Sequence, residues 1–157
     1  MASFSVTLDT AEVARQIDRS RESIAEKKEL LRLLAIGLMT QVMLAFEQKM
    51  TGATGSDGVA WDPLADSTVR RKQRKSGGVG AVSIGVDTGL MRASGSIGDP
   101  NSVLDIRDRS VTVGFGMSYS EYFDAKRQLI PDDLPREWRD ELDAIAEDWL
   151  DDQVVLD

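Results

Sequence analysis

The stretch LLRLLAIGLMTQVMLAF, from Leu30 to Phe46, decides how this chain folds. Leu31, Leu34, Leu38, Val42 and Phe46 recur close to the 3.6-residue helical period, and Leu30, Ile36, Met39 and Met43 widen the stripe. Such a pattern predicts a helix with a broad buried face. Arg32, Thr40 and Gln41 break the run, which falls short of the roughly 18 uninterrupted apolar residues that suggest a membrane span. The period extends back through Ile24, Ile17 and Val13. Asp9 or Thr10 suits the N-cap, and Glu12 then lies in the first turn, where the helix dipole favours an acid. A helix is expected over 10–50. Its first half, Ala11 to Glu29, is thinly apolar and heavily charged. One helix of about 40 residues would run about 60 Å, longer than a domain of this size, so it either breaks near Ser20–Ser23 or projects towards a partner.

Around this helix the pattern changes. Ser3 to Leu8 alternates apolar and polar and reads as a short strand. Thr51 to Gly58 is turn chemistry that ends the helix. Residues 51–81 read as a loop and a short basic helix, with Asp66-Ser67 capping a helix through Arg71 or Lys72. Arg70, Arg71, Lys72, Arg74 and Lys75 then run into Ser76-Gly77-Gly78-Val79-Gly80, as an exposed mobile loop would. Residues 82–115 read as a β region. Val82, Ile84 and Val86 alternate, and Leu90 follows a turn as an apolar anchor. Leu104 and Ile106 face Val111, Val113 and Phe115 across Arg107-Asp108-Arg109 as an antiparallel hairpin. Residues 118–152 read as helical: a short element around Tyr119, Tyr122 and Phe123, a loop bracketed by Pro131 and Pro135, and a final helix with Trp138, Leu142, Ile145 and Trp149 or Leu150 on one face. The whole is a single α+β domain, with helices laid on one face of a small antiparallel sheet.

Composition narrows the chemistry. The 157 residues contain no Cys and no His, which removes disulfides, thiolate nucleophiles, imidazole bases and His or Cys metal sites. The opening residues do not read as a signal peptide. The net charge of −8 is uneven. Residues 101–157 hold six basic and fifteen acidic side chains, while the rest is close to balanced.

The adjacent carboxylates of the last helix diverge by about 100° and do not converge on one ion. The glycines at 77–80 precede no helix that would cradle a phosphate. Asp87-Thr88-Gly89 is a lone triplet without the second aspartate that an acid protease needs. The run at 70–75 suits phosphate contacts, yet no aromatic residue interleaves with it to stack on bases. It equally suits the acidic surface of a neighbouring copy, in a head-to-tail contact that closes into a ring. Trp61, Pro63 and Leu64 either plug the domain's own core or anchor a partner.

The order of these features resembles the phage virion morphogenesis family, the tail completion or head–tail neck proteins of tailed phages. The carrying pieces are Trp61-Asp62-Pro63-Leu64, the basic helix from Ser67 to Lys72, Thr88-Gly89-Leu90-Met91-Arg92-Ala93-Ser94, the hairpin ending in Val111-Thr112-Val113-Gly114, and the element from Tyr119 to Phe123. The resemblance spans about residues 25–150. The chain departs from the family where a His-Gln-Phe-Gly-like stretch often follows the Tyr element, having 124–131 instead, and at 134–136.

The resemblance implies a structural, non-enzymatic protein without cofactors. It implies a homo-oligomeric ring, commonly six-fold, at the head–tail junction of the virion, assembled in the host cytoplasm. Its partners would be connector or adaptor proteins and tail tube or tail terminator proteins, with genomic DNA passing through the channel without specific binding, and no membrane. Trp61, Pro63, Leu64, Arg70, Arg71, Lys72, Arg74, Lys75, Leu90, Tyr119, Tyr122 and Phe123 are the expected contact residues. Asp140, Asp148 and Asp151 are candidates for an acidic channel wall that would let DNA slide. The competing expectation is a DNA-binding or regulatory oligomeric module using the basic segment 70–75.

Overall fold

The structure is a computed structural model that describes residues 4–9, 24–75, 77, 82–84 and 89–154. In chain order the elements are β1 (Phe4–Asp9), α1 (Ile24–Met50), α2 (Asp66–Lys75), α3 (Leu90–Ser94), β2 (Ser102–Ile106), β3 (Ser110–Phe115), α4 (Ser120–Lys126) and α5 (Arg136–Val154). The three strands form one antiparallel sheet in the order β1-β3-β2. The expected hairpin is present, with Leu104 opposite Val113 and Ile106 opposite Val111. The Arg107 N–H donates to the Ser110 carbonyl at 2.9 Å, which closes the turn around Asp108-Arg109. The fold is α+β.

The central strand supplies Val111, Val113 and Phe115 to the core, all fully buried. Opposite them α1 lays down Leu30, Leu31, Leu34, Leu38, Val42 and Phe46, also buried. The stripe Leu31, Leu34, Leu38, Val42 and Phe46 is therefore the core face, while Ile36, expected to widen it, is exposed. α5 adds Trp138, Leu142, Ala146 and Trp149 along one side. Gly37 lets the two long helices meet: a Cβ there would sit 2.5 Å from Ile145 Cδ1 and 3.3 Å from Leu142 Cδ2. By length and composition Lys27–Met50 could cross a membrane, although Arg32, Thr40 and Gln41 interrupt its apolar run. More than half of it is buried inside this domain, as befits a core helix.

Several expectations change. Asp9 ends β1, paired with Ser110. The expected helical segment 10–23 lies outside the described residues. The basic run at 70–75 is helical, not a loop: α2 continues through Lys75, three residues beyond Lys72, because nothing from Asp66 to Lys75 breaks a helix. Residues 82–84 are not a strand. The Ile84 N–H bonds the Met50 carbonyl at the end of α1, at 3.0 Å, and the Ile84 side chain plugs the core. Val86 and the Asp87-Thr88 pair lie outside the described residues. Leu90 to Ser94 is one short helix inside the expected β region, entered through Gly89 at φ 79°, a left-handed conformation that glycine adopts without strain.

Candidate interaction surface

Trp61 is the first expected contact residue to move. It is 4% exposed, held edge-on by Phe46 at 5.3 Å and by Phe123 at 5.4 Å between ring centroids. Its Nε1–H donates to the Gln128 carbonyl at 2.9 Å. Of the two readings of this loop, the core plug is the one seen. Trp61 offers no surface to a partner, and Phe123 and Leu64 are partly buried against the same cluster. Pro63 is exposed.

Beneath the 51–61 loop lies a polar node that the composition did not announce. Lys49 is fully buried and pairs with the equally buried Asp57. Its ammonium also donates to the Gln128 carbonyl at 2.9 Å and stands 5.6 Å from the centre of the Trp61 ring. Asp57 Oδ1 accepts from the Val59 N–H. Ser56 receives the Trp138 Nε1–H on its hydroxyl oxygen at 3.0 Å, while its own N–H bonds the Gln48 side chain. The Lys49–Asp57 pair and the bonds of Ser56 to Gln48 and Trp138 tie the loop to α1 and α5. The node fixes the loop. The available signal was periodicity, since Lys49 lies three residues after Phe46 and continues the buried stripe of α1.

Asp124 fastens the next turn, accepting from the N–H groups of Leu129 at 2.6 Å and Ile130 at 3.3 Å. Burial raises its pKa above the ordinary aspartate value, against the lowering effect of these two bonds. A carboxyl raised in the folded state favours folding most at low pH, and that contribution is lost as pH rises through the folded pKa. Asp124→Asn retains an acceptor oxygen and carries no charge. It should lose less stability than Asp124→Ala, which should cost about 1–3 kcal/mol by stranding two N–H groups. Urea denaturation at pH 4 and pH 7 checks both expectations. The Asn variant should gain on the wild type as pH rises.

Two charged helices occupy the outside. α2 has no buried residue. Arg70, Arg71, Arg74 and Lys75 are exposed on it, and half-buried Lys72 reaches the Ser83 carbonyl at 3.0 Å. α5 carries eight acidic residues against Arg136 and Arg139. Asp140, Asp148 and Asp151 are all exposed and, at 100° per residue, fall within an arc of about 80°. Among the described residues, of these three only Asp140 forms an ion pair, a loose one with Arg136 at 3.8 Å. Among the described residues no group of three or more acidic side chains could hold a metal ion.

A second surface escaped the sequence reading. Ile36 and Leu44 on α1 are each 45% exposed, and Leu33 is exposed beside them. Ile36 and Leu44, with Met43 and Ile97, line a groove of about 580 Å³ between α1 and the turn after α3, rimmed by Glu47. Arg92 pairs with Glu47 at 2.6 Å on that rim. Of the remaining expected contacts, Leu90 and Tyr119 are exposed, and Tyr122 is 67% exposed with the Lys126 ammonium 5.1 Å above its ring. The structure does not gather the expected contacts into one patch: some plug the core and others lie on separate helices. No family model, curated protein or solved structure matches the chain.

Proposed function

We propose that the chain is a structural subunit of a tailed-phage virion, forming a ring, commonly six-fold, at the head–tail neck or tail terminus. There it completes the tail and joins it to the head, without catalysis. The order of motifs from Trp61 through Thr88–Ser94 to Val111–Gly114 carries this reading. Support comes from the apolar strip on α1, because side chains such as Ile36 and Leu44 left in water are a surface suited to a neighbouring protein. Tail tube or terminator proteins and connector or adaptor proteins are the proposed neighbours, with DNA passing through.

The experiment is deletion of the coding sequence from the phage genome. Filled heads and separate tails in electron micrographs are expected, and joined infectious particles would overturn the reading. A finer check uses Ile36→Gln with Leu44→Gln. Each exposed substitution should leave stability within about 0.5 kcal/mol, measured by thermal melting, while lowering the yield of joined particles. The basic helix favours a second reading, a DNA-binding module. Duplex binding weakened uniformly by neutralising Arg70, Arg71 and Arg74, with a steep salt dependence, would support it.

A further inference from the structure

α2 is an unusual helix to find so exposed, with Thr68, Val69 and Lys72 half-buried and the rest open to solvent. It has ten residues, none of them buried, and isolated helices shorter than about 12–15 residues are marginal in water. Its charges oppose one another, since Arg70 lies one turn from Arg74 and Arg71 one turn from Lys75, and like charges at that spacing destabilise a helix. The helix dipole favours Arg74 and Lys75 at the C-terminal end but does not remove this repulsion. At 100° per residue the four side chains spread over about 140° of one face.

The opposite arrangement stands on α5. Glu137 and Glu141, Asp143 and Glu147, Glu147 and Asp151, and Asp148 and Asp152 are like-charged neighbours one turn apart. Among the described residues no ion pair joins Arg70, Arg71 or Arg74 to α5. The acids from Asp140 to Asp151 extend over about 16 Å, and α2 is about 15 Å long.

We infer that α2 of one copy docks along the acidic face of α5 in the next copy, so that each chain gives one helix and receives the other. The contact is head-to-tail and closes into a ring when the rotation permits. A second copy fits better than nucleic acid. A phosphate backbone would neutralise α2 but leave α5 exposed to its own repulsion, and a chain of net charge −8 repels a polyanion at long range. This assignment gives Asp140, Asp148 and Asp151 to the subunit contact and not to a channel wall. It rests on the proposed function only in taking the chain to be a self-assembling subunit, and is independent of the virion role.

The test needs three samples of the full chain. The first is the wild type. The second carries Arg70→Glu, Arg71→Glu and Arg74→Glu, and the third carries Asp140→Lys, Asp148→Lys and Asp151→Lys. Light scattering and circular dichroism are recorded on each at 50 and 500 mM salt. The wild type should exceed its 17.2 kDa monomer mass at low salt and shrink at high salt. Each variant alone should be a folded monomer. An equimolar mixture of the two should assemble again, because each supplies the sign the other lacks. Restoration also shows that neither variant had merely unfolded. A wild type that stays monomeric, a variant that keeps the wild-type mass, or a mixture that fails to assemble would each overturn the inference, as would capture of duplex DNA without self-association. Assembly through these helices in a protein whose deletion still gives joined particles would keep this inference and remove the virion reading. The reverse pair of results would do the opposite.

Discussion

Lys49→Met should destabilise the domain by about 3–5 kcal/mol, the usual cost of leaving one partner of a buried ion pair alone. The variant strands the fully buried Asp57 carboxylate, removes one of the two donors on the Gln128 carbonyl and strips the cation from beside Trp61. For a domain of this length such a loss lowers the melting temperature by on the order of 10 °C. Asp57→Asn should cost a similar amount, because it keeps an acceptor for the Val59 N–H but leaves the ammonium uncompensated. The double variant should be more stable than the sum of the two losses implies, since a node without charge has nothing left to strand. Denaturant titration of all four proteins measures this coupling. Additive losses would show that the pair does not act as a unit.

Trp138→Ala should be comparably severe, at about 3–5 kcal/mol. Trp138 is the largest fully buried side chain and joins α5 to the loop, through apolar contact and through the bond from Nε1 to the Ser56 hydroxyl. Trp138→Phe separates these contributions: it keeps most of the packing and should lose about 1 kcal/mol or somewhat more with the hydrogen bond. Trp149→Phe is the control. Trp149 is also buried on α5, but its Nε1 has no hydrogen-bond partner among the described residues. Its replacement by Phe should therefore cost less than the same change at Trp138. The denaturation midpoints of the two Phe variants, compared directly, decide the matter.

The loop that these predictions probe was half legible in the sequence. An aromatic and an aliphatic residue placed at 61 and 64 signalled that something was anchored there, but could not say to what. The answer depends on Gln128, 67 residues further on, whose carbonyl receives both Trp61 and Lys49. Periodicity within one element carries no information about such a partner. The expected contact residues suffered in the same way. Burial removed Trp61 and left Phe123 and Leu64 half-covered, while the apolar strip at Ile36 and Leu44 lay inside a run whose every apolar residue looked equally fit for the core.

The sequence by itself determined what is local. The apolar period of Leu30–Phe46, the alternation on either side of Arg107–Arg109 and the stripe through Trp138, Leu142 and Trp149 fixed two long helices and a hairpin, because helical and strand periods are properties of neighbouring residues. It also determined the separation of charge between 70–75 and the C-terminal third. Only the tertiary structure decided that the basic run is a helix without a buried residue, that Ile84 plugs the core where a strand was expected, and that the apolar residues Ile36 and Leu44 of α1 stay uncovered. Those outcomes depend on which distant surfaces cover one another, and burial is a property of the assembled chain rather than of any segment of it.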